Sequence, residues 1–95
     1  MNINFTKNGD IVNVALDGRL DTTTAPEFDN FVKGLDGATE LNINCAKLVY
    51  LSSAGLRVLL VAHKKFNGAM KLTNVCELVM EVFELTGFAD ILTIE

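Results

Sequence analysis

Apolar Ile3 and Phe5 alternate with polar Asn4 and Thr6, a period of two that predicts a strand over Ile3–Lys7. Asn8-Gly9-Asp10 supplies turn chemistry, and Ile11-Val12-Asn13-Val14-Ala15-Leu16 reads as a second strand, so a hairpin is expected around Asn8-Gly9. Asp17 to Thr24 is polar and predicts a loop. The period then changes. Phe28, Phe31, Val32 and Leu35 fall at i, i+3, i+4 and i+7, the spacing of an amphipathic helix. Its start has the spacing of a capping box, with Thr24 as N-cap and Glu27 three residues on. Pro26 fits the first turn, where its missing N–H costs little, and Gly37 suits a left-handed cap at the other end.

Leu41-Asn42-Ile43-Asn44-Cys45 alternates again and predicts a third strand, followed by a short apolar segment over Leu48–Leu51. From Ser53 to Phe66 the apolar residues surround most of a helical circumference, which marks the most buried helix of the chain. Asn67-Gly68 ends it, and Met70–Val75 is a fourth candidate strand. Leu78, Val79, Val82 and Phe83 give a third helix, from Cys76 or Glu77 to Leu85, stopped by Thr86-Gly87. Ile91–Ile94 can form a last strand. A hairpin followed by alternating helix and strand predicts an α/β fold with a mixed sheet of four to five strands and three helices packed against it. Strands joined through a helix should run parallel, with right-handed crossovers.

The length of 95 residues leaves room for one domain, 1–95, and little space for a deep substrate cavity. The eight basic residues are scattered and the net charge is −4, so neither nucleic acid nor an anionic membrane surface is an expected partner. No apolar run reaches the roughly 20 residues of a membrane span, and the N-terminus lacks a signal-peptide pattern, so a cytoplasmic location is expected. Cys45 and Cys76 have no metal-ligand spacing and read as two reduced, partly buried thiols. His63 is the only histidine, and no acid or cysteine nearby in sequence would activate it. Glu81 and Glu84 read as a solvated helix face. No metal, cofactor or catalytic constellation is expected, and the chain is read as a non-enzyme.

The remaining candidate is the corner Leu51-Ser52-Ser53-Ala54-Gly55-Leu56-Arg57, where an apolar segment meets a helix start. A serine there can cap the helix, and the same helix terminus accommodates an anion, including a covalently attached phosphate. Gly55 inside the first turn costs roughly 0.5–1 kcal/mol against alanine. Close approach of another backbone, from an adjacent loop or from a partner protein, would offset that cost.

Tyr50-Leu51-Ser52-Ser53-Ala54-Gly55-Leu56 resembles the signature of the STAS family, shared by sulfate transporters and bacterial anti-sigma factor antagonists. Gly18-Arg19-Leu20-Asp21 resembles the family's G-x-[LI]-D loop, and Leu85-Thr86-Gly87-Phe88 its usual end to the third helix. The resemblance implies a stand-alone anti-anti-sigma factor that works by partner switching. On that reading Ser53 is the phosphorylated hydroxyl, and Asp21, Thr22, Ser52, Ser53, Ala54, Gly55 and Arg57 form the partner-binding surface. Ser52 stands where the family often has aspartate, and Lys47 where many members have Asp. The implied partners are an anti-sigma factor that is also a GHKL-type serine kinase, and a PP2C-type phosphatase, with the chain itself a monomer or weak dimer. An alternative is a STAS accessory subunit that docks on the ATPase of a lipid or solute transporter. A third is a small hydrolase with Ser53 as nucleophile and His63 as base.

Overall fold

The computed structural model describes residues 1–95. β1 (Asn2–Asn8) and β2 (Ile11–Leu20) form the hairpin, followed by α1 (Ala25–Lys33), β3 (Glu40–Leu51) and α2 (Ser53–Lys65). β4 (Met70–Thr73), α3 (Glu77–Thr86), a 3₁₀ turn (Phe88–Asp90) and β5 (Thr93–Ile94) complete the chain. The strands lie in the order β1-β2-β3-β4-β5. β1 is antiparallel to β2, and each later pair is parallel. The expected mixed α/β sheet is therefore present, with five strands. Because the order is sequential, right-handed crossovers place α1, α2 and α3 on the same face of the sheet.

The core lies between that face and the helices. Val12, Leu20, Phe28, Leu41, Ile43, Leu59, Met70, Leu72, Val79 and Phe83 are fully buried in it, and no buried residue is polar or charged. Ile3, Phe31, Leu35, Val82 and Phe88 pack around its edge. The opposite face presents Asn4, Asn13, Asn42, Asn44 and Lys71 over a shallow groove. There Asn42 donates its amide to Asn13 Oδ1 at 3.1 Å across β2 and β3. α2 buries Gly55, Leu56, Val58, Leu59 and Ala62, more than either other helix, although Val61 is 44% exposed.

The main departures from the sequence pattern lie at the ends of β2 and β3. Asp17–Leu20, expected as loop, continues β2, with Leu20 opposite Leu51. β3 is one strand of 12 residues where two separate segments were expected. The register against β2 shifts twice, and each shift inserts an additional β3 residue. Its buried residues therefore pass from a spacing of two (Leu41, Ile43, Cys45) to three (Cys45, Leu48, Leu51). A period-two reading stops where the bulges begin.

Helix ends show smaller departures. α1 stops at Lys33 with Gly34 as its cap, so Gly37, at φ +80°, belongs to the following loop. α2 ends at Lys65, and Asn67 and Gly68 turn the chain with positive φ. Asn74, at φ +56°, follows β4 and cuts it back from the expected Val75 to Thr73. Gly87 caps α3 in the left-handed region, where Thr86-Gly87 was expected to stop the helix. After the 3₁₀ turn, Ile91 N–H and Leu92 N–H both donate back to Phe88 O, so β5 keeps only Thr93–Ile94 of the expected Ile91–Ile94.

Candidate functional site

The site lies at the C-terminal edge of the parallel strands, where β2 and β3 end side by side. Ser52 N–H donates to Leu20 O at 3.0 Å, tying the entry to α2 to the end of β2. Ser52 is the N-cap: its extended backbone turns into the helix, and its Oγ accepts from Gly55 N–H at 3.4 Å. Ser52 O accepts from Leu56 N–H at 3.0 Å. Ser53 is the first helical residue and is exposed. The two serines thus divide the work, with capping assigned to Ser52 and the Ser53 hydroxyl left at the surface beside the first-turn amides.

Gly55 is buried, so it is not part of an exposed surface. A Cβ there would lie 2.7 Å from Leu51 Cδ1, 2.8 Å from Leu20 Cγ and 2.9 Å from Leu20 O. The close approach anticipated for this glycine comes from the chain's own strand ends. Ala54 is half-buried, and Arg57 is exposed one turn after Ser53.

The Asp21–Thr24 turn flanks the corner. The expected Thr24–Glu27 box is absent, because Thr24 already has helical backbone and its side chain caps nothing ahead of it. A box forms three residues earlier. Asp21 Oδ1 accepts from Thr23 N–H at 3.0 Å and Thr24 N–H at 3.1 Å, while Thr24 Oγ1 accepts from Asp21 N–H at 2.9 Å. Asp21 O also accepts from Ala25 N–H at 2.8 Å. The Asp21 carboxyl is held below the usual carboxylate range, first by the Thr24 amide, with the Thr23 amide, the Thr24 hydroxyl and Arg19 acting in the same direction. Its carboxylate holds the turn together and is not directed freely at α2.

Between α1 and α2 runs a shallow cleft of about 250 Å³ lined by Thr22, Ala25, Pro26, Asp29, Ala54, Arg57 and Val58. Asp21, Thr22 and Ser52–Arg57 are therefore assembled in one region, with Gly55 beneath its surface. Pro26 and Asp29 were not anticipated there, since only the packing of α1 against α2 brings them in. The Arg19–Tyr50 pair was also missed. Arg19 Cζ lies 4.0 Å from the Tyr50 ring centroid and its Nε 3.6 Å from Asp21 Oδ2, which braces the ends of β2 and β3 against the turn. An exposed aromatic immediately before the Leu51-Ser52 corner was the available signal.

Ser53 and His63 stand ten positions apart on α2, about 15 Å along its axis, which removes the nucleophile–base reading. His63 Nδ1 is buried without a hydrogen-bond partner. The thiols are free: Cys45 is buried, its pKa pushed up to about 12 by burial and then by Cys76, while Cys76 is half-buried. No group of His, Cys, Asp and Glu side chains is arranged to hold a metal ion.

This strand-end corner, with its glycine locked under a capped helix, coincides with a match of residues 2–95 to the STAS domain model. The chain belongs to the STAS domain family. It is 29% identical over 98 residues to the anti-sigma-B factor antagonist of Bacillus subtilis, covering 99% of this chain and 90% of that one. It is 27% identical to the anti-sigma-B factor antagonist of Staphylococcus aureus over 97 residues, covering 97% and 90%. An anti-sigma factor antagonist from Mycobacterium paratuberculosis superposes with a TM-score of 0.86 at 18% identity, covering 98% of this chain and 83% of that one. The antagonist SpoIIAA superposes at 0.76 in its unphosphorylated form, with 16% identity and coverage of 99% and 87%. In its phosphorylated form SpoIIAA superposes at 0.75, again at 16% identity, covering 99% and 91%. These structures share the STAS fold of this chain. Family and relatives agree with the expectation that the chain is not an enzyme. No helix is long and apolar enough to cross a membrane.

Proposed function

We propose that this chain is an anti-sigma factor antagonist that acts by partner switching at the α2 N-terminus, in the cytoplasm. Unmodified, it binds an anti-sigma factor that is also a serine kinase of the GHKL type, and so frees a sigma factor. Phosphorylated on Ser53 it lets go, and a PP2C-type phosphatase resets it. The observation that carries this reading is the division between the two serines: Ser52 caps, so the exposed Ser53 hydroxyl can be modified without removing the cap. The names of the relatives support the antagonist role.

Phosphorylation adds about −1.5 to −2 charges and three acceptor oxygens. At the positive end of a helix dipole that charge is stabilising by roughly 0.3–1 kcal/mol, so the fold survives it. Arg57, at i+4, forms no ion pair in the unmodified chain and lies within side-chain reach of such a group. A partner packed on Thr22, Ser53, Ala54 and Arg57 must instead desolvate a dianion. A 100-fold loss of affinity needs only about 2.7 kcal/mol, within reach of one such group. Asp21 acts as the residue that positions the Thr22 turn.

The test is incubation with the serine kinase that binds the chain, plus ATP, followed by peptide mapping. One phosphate on Ser53, absent from Ser53→Ala and retained in Ser52→Ala, is the expected result. Modification at Ser52, or a pull-down that recovers a transporter ATPase in place of a kinase, overturns the proposal.

A further inference from the structure

The outer face of α3 carries an apolar stripe that the fold leaves uncovered. Leu78, Val82 and Leu85 follow at i, i+4 and i+7, so at about 100° per residue they share about 60° of the helix circumference. Val79 and Phe83 face the core from the neighbouring sector. Leu78 is 55% exposed and Leu85 88%, while Val82 is half-buried against the core edge. Ile91, just after the 3₁₀ turn, is 48% exposed. Singly exposed leucines are ordinary, but aligned ones on a regular element mark a contact surface.

Charge identifies what would cover it. Glu77, Glu81 and Glu84 occupy the sector on the other side of the stripe, away from the core, and none of them forms an ion pair. The asymmetry extends beyond the helix. From Leu72 to Glu95 the chain has five acidic residues and no Lys or Arg, whereas all eight basic residues lie between Lys7 and Lys71. Two copies packed antiparallel through this stripe would bring two glutamate rows together, an unfavourable like-charge arrangement. A partner with cations beside its apolar contacts would neutralise the row. An amphipathic helix satisfies both demands, since its apolar ridge can pack on Leu78, Val82 and Leu85 while Lys or Arg along one edge meets the glutamates.

We propose that α3 is a second docking surface, for a protein partner presenting an amphipathic helix with Lys or Arg along one edge. It is separate from the Ser53 corner and does not depend on phosphorylation there. The stripe is on α3, whereas Ser53 begins α2.

The experiment is amide chemical-shift mapping of the full chain. The probe is a helical Ala/Leu/Lys peptide of about 18 residues with leucines on one face and lysines on one edge, and a second peptide carries Glu in place of Lys. The lysine peptide should shift the amides of Leu78–Leu85, weaken with added salt, and bind at least about tenfold tighter than the glutamate peptide. Leu85→Ser, and separately Glu81→Lys with Glu84→Lys, should each weaken it about tenfold; all these side chains are exposed, and circular dichroism checks the fold. Equal binding of both peptides, shifts centred elsewhere, or no binding overturns the proposal. So does self-association of the unliganded chain that Leu85→Ser abolishes, because it assigns the stripe to a second copy.

Discussion

Gly55→Ala is the substitution on which the geometry speaks most directly. In an unconstrained helix it would stabilise by roughly 0.5–1 kcal/mol, because glycine is the poorer helix former. Here the added methyl would meet Leu51 Cδ1 at 2.7 Å, Leu20 Cγ at 2.8 Å and Leu20 O at 2.9 Å. The Leu51 methyl is the end of a flexible side chain and can move. Leu20 is fully buried, and its carbonyl accepts from Ser52 N–H at 3.0 Å, so that atom can retreat only by weakening the bond that seats α2. Overpacking of this kind costs typically 1–3 kcal/mol, and a weakened backbone hydrogen bond adds to it. After the propensity gain, the expected net destabilisation is about 1–2 kcal/mol. For a domain of this size that lowers Tm by about 4–16 °C. Thermal and urea unfolding of the two proteins measure it. An unchanged or raised Tm would refute the reasoning, because it would mean that α2 is not held against the strand ends at this distance.

Ser52→Ala should cost about 0.5–1 kcal/mol in urea unfolding, the low end for a lost cap given its 3.4 Å bond, whereas Ser53→Ala should fall within about 0.5 kcal/mol of the parent. Asp21→Ala should destabilise at neutral pH. Because the folded carboxyl titrates below its ordinary value, its contribution is present above about pH 4 and is lost as the pH falls through the lowered folded pKa. The stability curves of Asp21→Ala and parent, recorded by urea titration from pH 7 downward, should therefore converge at the acid end. Cys45, with its pKa near 12 and its side chain buried, should resist iodoacetamide in the native protein at pH 8 and react once urea unfolds it, while Cys76 reacts first. Native labelling of Cys45 ahead of Cys76, read by mass spectrometry, would contradict the packing.

Much of this architecture was readable from residue order. Phe28, Phe31, Val32 and Leu35 sit at helical spacing with no competing period, and Asn8-Gly9 between two alternating runs leaves little but a hairpin. The strand ends were less legible for a physical reason. Bulges on β3 change the burial period from two to three, so a local alternation test stops at Cys45 although the ladder continues to Leu51. β2 runs through Gly18, at φ +117°, past the point where Asp17 and Arg19 suggest a loop. The capping box was placed one turn late because Thr24-x-x-Glu27 and Asp21-x-x-Thr24 have the same spacing, and only the seating of Asp21 N–H on Thr24 Oγ1 decides between them. At the β3–α2 corner, the sequence marked a helix start at the two serines and the anomaly at Gly55. Which serine caps, and which atoms crowd the glycine, depend on how the β2 carbonyl meets the β3 end. Those are long-range contacts that no window of sequence contains.

The central claim is that a single phosphate on Ser53 controls binding without disturbing the fold. The most direct measurement compares the chain phosphorylated on Ser53 with the unmodified chain, reading Tm by calorimetry and affinity for the anti-sigma partner by titration. A Tm equal to or slightly above the unmodified value, with affinity weakened at least about 100-fold, is the predicted result. Retained tight binding by the phosphorylated chain would contradict it, and so would a loss of binding that accompanies unfolding.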